Sequence, residues 1–179
     1  MAFTLDPQLL HQAREDTGAL DTLIERIWPE VYRVCLGIVR DRTAAEDAAQ
    51  DACAAMARSL HNLRNDAAFY GWMYRIAGRC AVACTKTMSR DVALQSVPAY
   101  ASDRDAAIDL HDALQRLPLS QRTAVVLHYY AGLSSFEIGE ALHMPPVTVR
   151  FHLMLARRTL RGLLRTVDPG AKESCADVR

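Results

Sequence analysis

The chain lacks the features on which several classes of protein depend. It has no run of about 18 apolar residues, so no membrane-spanning helix is predicted. Its eight glycines form no loop of the kind that cradles phosphate, and its five cysteines include no CxxC pair. No apolar alternation typical of a strand is present, and aromatic residues make up only 7%. These absences favour a helical protein, and without a secretion signal we expect reduced cysteines and a cytoplasmic location.

Charge is balanced in total but unevenly distributed along the chain. The 21 basic and 21 acidic residues cancel, whereas a protein that binds DNA tightly by itself is usually basic. Balance therefore predicts weak autonomous binding to DNA, or binding delivered by a partner. Separate acidic and basic clusters suit a protein that touches both a basic protein and DNA, although ordinary solvated helix faces would give the same pattern.

The most informative segment is Ser134 to Leu164, which predicts two helices separated by a sharp break. Ser134 and Ser135 are candidate N-caps, with Glu137 in the first turn. The pair Pro145-Pro146 ends the first helix and suits the start of the second. The second helix is rich in arginine and has no acid from position 145 to position 167. This combination is typical of a helix-turn-helix that reads the major groove, although a helical hairpin of any all-α protein remains an alternative.

Apolar periodicity predicts an all-α fold of two small domains with a flexible linker between them. In the first domain, residues 1–91, Pro29 is expected to kink a long helix, and Thr43 with Glu46 is expected to form a capping box. Residues 92–105 have no clear period and are interpreted as the linker. Residues 106–167 form the second domain, with Gly132 closing a helix, and residues 168–179 are a frayed tail.

Two groups of motifs resemble those of the extracytoplasmic-function (ECF) sigma factors, the smallest bacterial sigma subunits. One group resembles the family's region 2: an acidic helix with AED and QD, then a helix reading FYGWMYRIA from Phe69 to Ala77. The other resembles region 4, with LP at Leu117-Pro118, QR at Gln121-Arg122, GLS at Gly132 to Ser134 and TVR at Thr148 to Arg150. The two groups in this order, separated by a linker, are more specific than either one alone.

The resemblance implies contacts with bacterial core RNA polymerase and promoter DNA, and regulation by an anti-sigma protein. It implies no enzymatic activity, no cofactor, no metal and no membrane insertion. Polymerase would dock on the acidic helix through Glu46, Asp47, Gln50 and Asp51. The −10 element would meet Asn62, Arg64, Asn65, Asp66, Tyr70, Arg75, Arg79 and Lys86. The −35 element would meet Ser134, Ser135, Thr148, Arg150, Phe151, His152, Arg157, Arg158 and Arg161.

Several positions depart from the family's usual pattern. Ala57 lies where a bulky aromatic is common, Ala83 where an aspartate is common, and His143 where the turn usually holds glycine. The start of the reading helix has Phe151-His152 in place of the usual polar and basic pair. These departures affect the expected base preference at both promoter elements.

Three other functions compete with the sigma-factor hypothesis. A sigma-like mimic would bind an anti-sigma protein without promoting transcription. A dimeric helix-turn-helix regulator would need a dimerisation segment, and none is spare. A thiol or metal enzyme is disfavoured because Cys80 and Cys84, one helical turn apart, have no histidine at ligand spacing, and no catalytic arrangement is recognisable.

Overall fold

A computed structural model describes residues 6–94 and 110–165, and their regular structure is helical throughout, so the predicted all-α fold is confirmed. We call these two parts the N-terminal unit and the C-terminal unit. The predicted tail, most of the predicted linker and the first residues of the predicted second domain lie outside the described residues. The structure thus covers the two helical units that contain the sequence motifs.

The N-terminal unit is built around three long helices that pack against one another. Helix α1 spans Pro7–Gln12, α2 spans Thr17–Val39, α3 spans Arg42–Ser59 and α4 spans Phe69–Leu94. Two 3-10 turns, Leu60–Asn62 and Asp66–Ala68, connect α3 to α4. Helix α4 continues through residues 92–94, so the first three residues assigned to the linker are helical.

Alanines bring α3 close to its neighbours. Ala45, Ala48, Ala49 and Ala52 are all buried, and their small side chains let α2 and α4 approach the α3 backbone. The larger core side chains come from the neighbouring helices and include Leu23, Ile27, Phe69 and Met73. This packing leaves the polar side of α3 facing outward.

Two local predictions for the N-terminal unit need correction. Helix α3 begins at Arg42 because Asp41 is its N-cap, with Oδ1 accepting a hydrogen bond from Ala44 N at 2.8 Å. The predicted Thr43–Glu46 capping box is therefore wrong: both residues lie inside the helix. Pro29 is expected to kink α2 or to begin a new helix, and the second alternative is wrong because one continuous helix runs through this residue from Thr17 to Val39.

The C-terminal unit consists of shorter helices followed by one long one. Helix α5 spans Leu110–Gln115, and α6 spans Leu119–Val125 and continues as a π-helical turn, Val126–Tyr130. Helix α7 spans Ser135–Leu142 and α8 spans Pro146–Arg165. Gly132, with φ of 72°, closes the segment after the π-turn, because this left-handed backbone is costly for other residues. Helices α6 and α7 both pack on α8, which gives the predicted helix-turn-helix.

Candidate nucleic-acid interface

The acidic residues of α3 form an exposed face. Glu46, Asp47, Gln50 and Asp51 are all exposed, whereas the alanines on the opposite side of the helix are buried. Within residues 6–94 and 110–165, none of the three carboxylates forms an ion pair with another side chain. We call these four residues the acidic face. It is a surface with uncompensated negative charge, as a basic partner requires.

The loop before α4 presents four exposed polar residues, two of which also have structural roles. The Asn65 side chain caps the following turn, since Oδ1 accepts from Ala67 N at 3.0 Å. Asn65 is therefore the cap, and Asp66 is the first residue of the turn. The Asp66 carboxylate pairs with Arg14, which also donates to Leu63 O at 3.0 Å. Arg14 thereby ties α1 to the loop, while Asn62 and Arg64 are exposed.

The C-terminal unit packs beside the basic residues of α4. Arg75 Nη1 lies 3.2 Å from the Glu140 carboxylate on α7, so this predicted DNA contact is paired within the chain. Arg79 and Lys86 are exposed and line a groove of about 400 Å³ whose other wall comes from α6, α7 and the turn after α7. Tyr70 is half-buried against the edge of Phe69. In this arrangement the C-terminal unit borders part of the predicted −10 surface.

Phe69 and Trp72 pack against the core of the N-terminal unit and are not exposed platforms for bases. Phe69 is 1% exposed. Trp72 is half-buried and packs against the same core, with its ring centroid 5.8 Å from that of Phe69.

A capping box starts the helix-turn-helix at Ser134. Its hydroxyl accepts from Glu137 N at 3.3 Å, and Glu137 Oε2 accepts in return from Ser134 N at 2.8 Å. Bonds from the side chain and backbone of Ser134 lower the pKa of the Glu137 carboxyl. Ser134 is thus the N-cap, and Ser135 is the first residue of the helix.

A close backbone contact fixes the turn between α7 and α8. His143 is the C-cap of α7 and has the left-handed conformation, with φ of 54°, at the position where the family's turn usually holds glycine. Met144 N donates to Gly139 O at 3.0 Å. A Cβ at Gly139 would lie 2.7 Å from Met144 O, so only glycine fits here without a shift of the backbone. An isolated glycine within a helical pattern was the signal for this requirement.

Helix α8 exposes most of its predicted DNA contacts. Arg150, Phe151, Arg158 and Arg161 are exposed, while Thr148 and His152 are half-buried. His152 Nδ1 is buried without a hydrogen-bond partner among the described residues. Arg157 is also exposed, but its Nε donates to the Tyr129 hydroxyl at 2.5 Å and its guanidinium lies 5.6 Å from the centre of that ring. Arg157 is thus oriented by the C-terminal unit itself.

A buried arginine joins the two units, a contact that sequence reasoning missed. Arg122 on α6 is 2% exposed, and it donates to Ile38 O and to Leu117 O, each at 2.8 Å. Burial lowers the pKa of Arg122 to about 10, and the nearby Arg40 acts in the same direction. Ile38 O belongs to the last turn of α2, where carbonyls have no partner within the helix. Arg122 thus caps α2 from the other unit.

Two glycines and a glutamate complete this contact. A Cβ at Gly37 would lie 3.2 Å from Val126, and one at Gly78 would lie 3.0 Å from Leu127, so both side chains of the π-turn pack against bare backbone. The half-buried Glu30 carboxylate accepts from the Tyr130 hydroxyl at 2.7 Å. The π-turn therefore inserts between α2 and α4.

Of the four cysteines that the structure describes, Cys35 and Cys53 are buried thiols, and Cys80 and Cys84 are half-buried. Burial raises the pKa of Cys35 to about 12 and that of Cys53 to about 11. The pKa values of Cys80 and Cys84 are also raised by burial and, next, by aspartates of the acidic face, Asp51 for Cys80 and Asp47 for Cys84. Within the described ranges, no group of three or more histidine, cysteine or acidic residues is placed to hold a metal ion.

The fold and the exposed surfaces define a helical DNA-binding protein with a helix-turn-helix, and comparison with known sequences identifies its family. The family model Sigma-70 region 2 matches residues 23–83, and Sigma-70, region 4 matches residues 107–160. The RNA polymerase sigma-H factor of Pseudomonas aeruginosa is 32% identical over 89% of this chain and 96% of its own. The ECF RNA polymerase sigma factor SigM of Mycobacterium tuberculosis is also 32% identical, over 87% of this chain and 82% of its own. The chain belongs to the ECF group of the sigma-70 family.

Solved structures share the fold at lower identity. One is CnrH in complex with the cytosolic domain of CnrY, with a TM-score of 0.61 and 20% identity over 89% of this chain and 96% of that chain. Another is the sigma factor RpoE with the anti-sigma factor NepR from Bartonella quintana, with a TM-score of 0.64 and 18% identity over 81% and 96%. Both agree with the all-α architecture. Among the helices described here, none is long and apolar enough to cross a membrane.

Proposed function

We propose that this protein is a promoter-specificity subunit that binds bacterial core RNA polymerase, directs it to particular promoters and assists strand opening. In this role it supplies recognition contacts in the cytoplasm, while polymerase carries out the chemistry. The main support is the presence in one chain of both sigma-70 regions in the family's order, each with an exposed charged surface suited to its partner.

The acidic face is proposed to dock on a basic surface of core polymerase. Its three carboxylates are exposed and form no ion pair in residues 6–94 and 110–165, so docking breaks no ion pair among these residues. Complementary charge speeds association and orients the partners. Because Cys80 and Cys84 lie near these carboxylates, their raised pKa values also keep the thiols neutral beside the docking surface.

The −10 element is proposed to bind the loop and the basic face of α4. The loop residues Asn62, Arg64, Asn65 and Asp66 would contact an unstacked base, and Tyr70 would offer it an aromatic surface. Arg75, Arg79 and Lys86 would hold phosphates. Since Arg75 is paired with Glu140, we infer that the C-terminal unit must move away from α4 before this surface binds DNA fully.

The −35 element is proposed to bind the helix-turn-helix. Thr148, Arg150, Phe151 and His152 would face bases from the early turns of α8, and Arg157, Arg158 and Arg161 would meet phosphates. Ser134 and Ser135 would face the backbone from the start of α7. Three phosphate contacts predict a log–log slope of affinity against salt of roughly −3.

The decisive experiment is promoter-dependent transcription by purified core polymerase with and without this protein, on DNA from upstream of its own gene. We expect specific initiation only when the protein is present. Replacing Glu46, Asp47 and Asp51 by the matching amides should weaken binding to core polymerase, whereas the same change at the exposed acids Asp21 and Glu25 of α2 should not. Binding to core without initiation would contradict the promoter role, and no binding at all would favour the sigma-like mimic.

An anti-sigma protein is proposed as the regulator. In the two solved structures with a similar fold, CnrH is in complex with the cytosolic domain of CnrY, and RpoE is in complex with the anti-sigma factor NepR. In the present chain, a groove of about 570 Å³ runs between α2 and α8, with an apolar floor and with Arg33, Arg157 and Arg161 at its edge. Such a groove suits an amphipathic segment that carries acidic residues. A regulator of this kind should compete with core polymerase for the protein in a binding assay.

A further inference from the structure

An exposed apolar stripe occupies the first half of the reading helix. Val147, Phe151 and Met154 are 62%, 52% and 54% exposed, and their spacing of four and then three residues places them on one side of α8. The buried side of the helix is formed by Val149, Leu153 and Ala156. The stripe therefore does not contribute to the core. It lies on the helix that is proposed to face the −35 element.

The same side of α8 becomes strongly basic in its second half. Arg158 lies four residues after Met154, Arg161 lies seven after it, and both are exposed. No acidic residue occurs anywhere in α8. A surface that is apolar at the start of the helix and cationic beyond it is complementary to a polyanion with apolar groups at its centre. This charge pattern favours DNA as the ligand over a protein surface without acidic residues.

Base edges in the major groove offer one prominent apolar group, the 5-methyl of thymine. In a helix-turn-helix, the N-terminal residues of the reading helix contact base edges, while later residues reach the backbone. We propose that Phe151 and Val147 determine specificity by contacting thymine methyl groups in the −35 element. This inference rests on the proposed function, and it implies that the element carries thymine where these two side chains enter the groove.

The size of the effect follows from one methyl group. Burying a methyl-sized apolar group is worth about 0.8 kcal/mol, which corresponds to about a four-fold change in Kd for each thymine contacted. A bidentate hydrogen bond to a wrong base would change the affinity by more than this. Loss of a methyl alone should therefore give a modest, position-specific weakening.

The test isolates the methyl group chemically. Binding sites are selected from randomised duplexes with the full-length chain bound to core RNA polymerase, and each thymidine of the selected site is then replaced by deoxyuridine, which lacks only the methyl. We expect wild-type Kd to rise about four-fold at one or two positions. Phe151→Ser should abolish the effect at one of them, while Phe136→Ser, at an equally exposed phenylalanine on α7, should keep it.

The possible outcomes separate this inference from the proposed function. Failure to select any specific duplex would overturn both. A specific site whose affinity does not change with deoxyuridine would overturn the thymine contact alone, as would a Phe151→Ser variant that retains the full effect at every position. In that last case, the stripe would be interpreted as a surface that binds a protein. Circular dichroism of the two variants checks that these exposed positions leave the fold unchanged.

Discussion

Gly139→Ala tests whether a single close contact sets the angle of the helix-turn-helix. The new Cβ would lie 2.7 Å from Met144 O and 3.4 Å from Pro146 N, both of which are backbone atoms. The carbonyl cannot move alone, because Met144 N is bonded to Gly139 O and two prolines follow. Forcing such an overlap costs about 2–3 kcal/mol. The higher helix propensity of alanine relative to glycine offsets about 1 kcal/mol of this cost. We therefore expect a net loss of about 1–2 kcal/mol.

Gly162→Ala is the matched control on α8. Gly162 is exposed, and its new Cβ would meet no atom within 4 Å, so only helix propensity acts. We expect a gain of about 0.5–1 kcal/mol. Urea denaturation followed by far-UV circular dichroism measures both variants against wild type, and the two substitutions should have opposite signs. If Gly139→Ala is as stable as wild type or more stable, the close contact does not constrain the turn.

Three further predictions concern other parts of the molecule. In urea denaturation, Arg122→Leu should lower the free energy of unfolding by about 2 kcal/mol, because two carbonyls lose a charged donor. Arg116→Leu, at an exposed position, should change the free energy of unfolding little. Equal effects of the two substitutions would contradict the cap of α2 by Arg122. The pKa of Glu137 is lowered in the folded state, so its contribution to stability is complete above the ordinary glutamate pKa and disappears as the pH falls through the lowered pKa. Glu137→Gln should therefore reduce the fall of the melting temperature with decreasing pH in thermal melts. An unchanged dependence on pH would contradict the capping box. In timed alkylation read by mass spectrometry, Cys35 and Cys53 should react more slowly than the less buried Cys80 and Cys84; the reverse order would contradict the assigned burial.

Local features of the sequence were the most predictable part of this structure. The start of α7 at Ser134 follows from a cap and a glutamate three residues later, since both groups act within one turn. The same reasoning failed at Thr43, because Asp41, two residues earlier, supplies the cap instead. Competing caps so close together cannot be separated by spacing alone.

Contacts distant in sequence were not predictable in this way. Arg14 and Asp66 lie 52 residues apart, and Arg122 and Ile38 lie 84 apart, so no helical period relates them. Most predicted positions on α3 and α8 are exposed as expected, because the apolar period assigns the opposite faces to the core, whereas Thr148 and His152 are half-buried. The pairing of Arg75 with Glu140 depends on how the two units meet, which no single motif encodes.

The two glycines that contact the π-turn make the two sides of the contact between the units unlike each other. Gly37 and Gly78 present bare backbone, whereas the opposing surface carries Val126 and Leu127. When the units part, the apolar side chains newly exposed at these two positions therefore belong to the C-terminal unit. At this contact the C-terminal unit becomes the adhesive side, available to whichever surface next covers Val126 and Leu127.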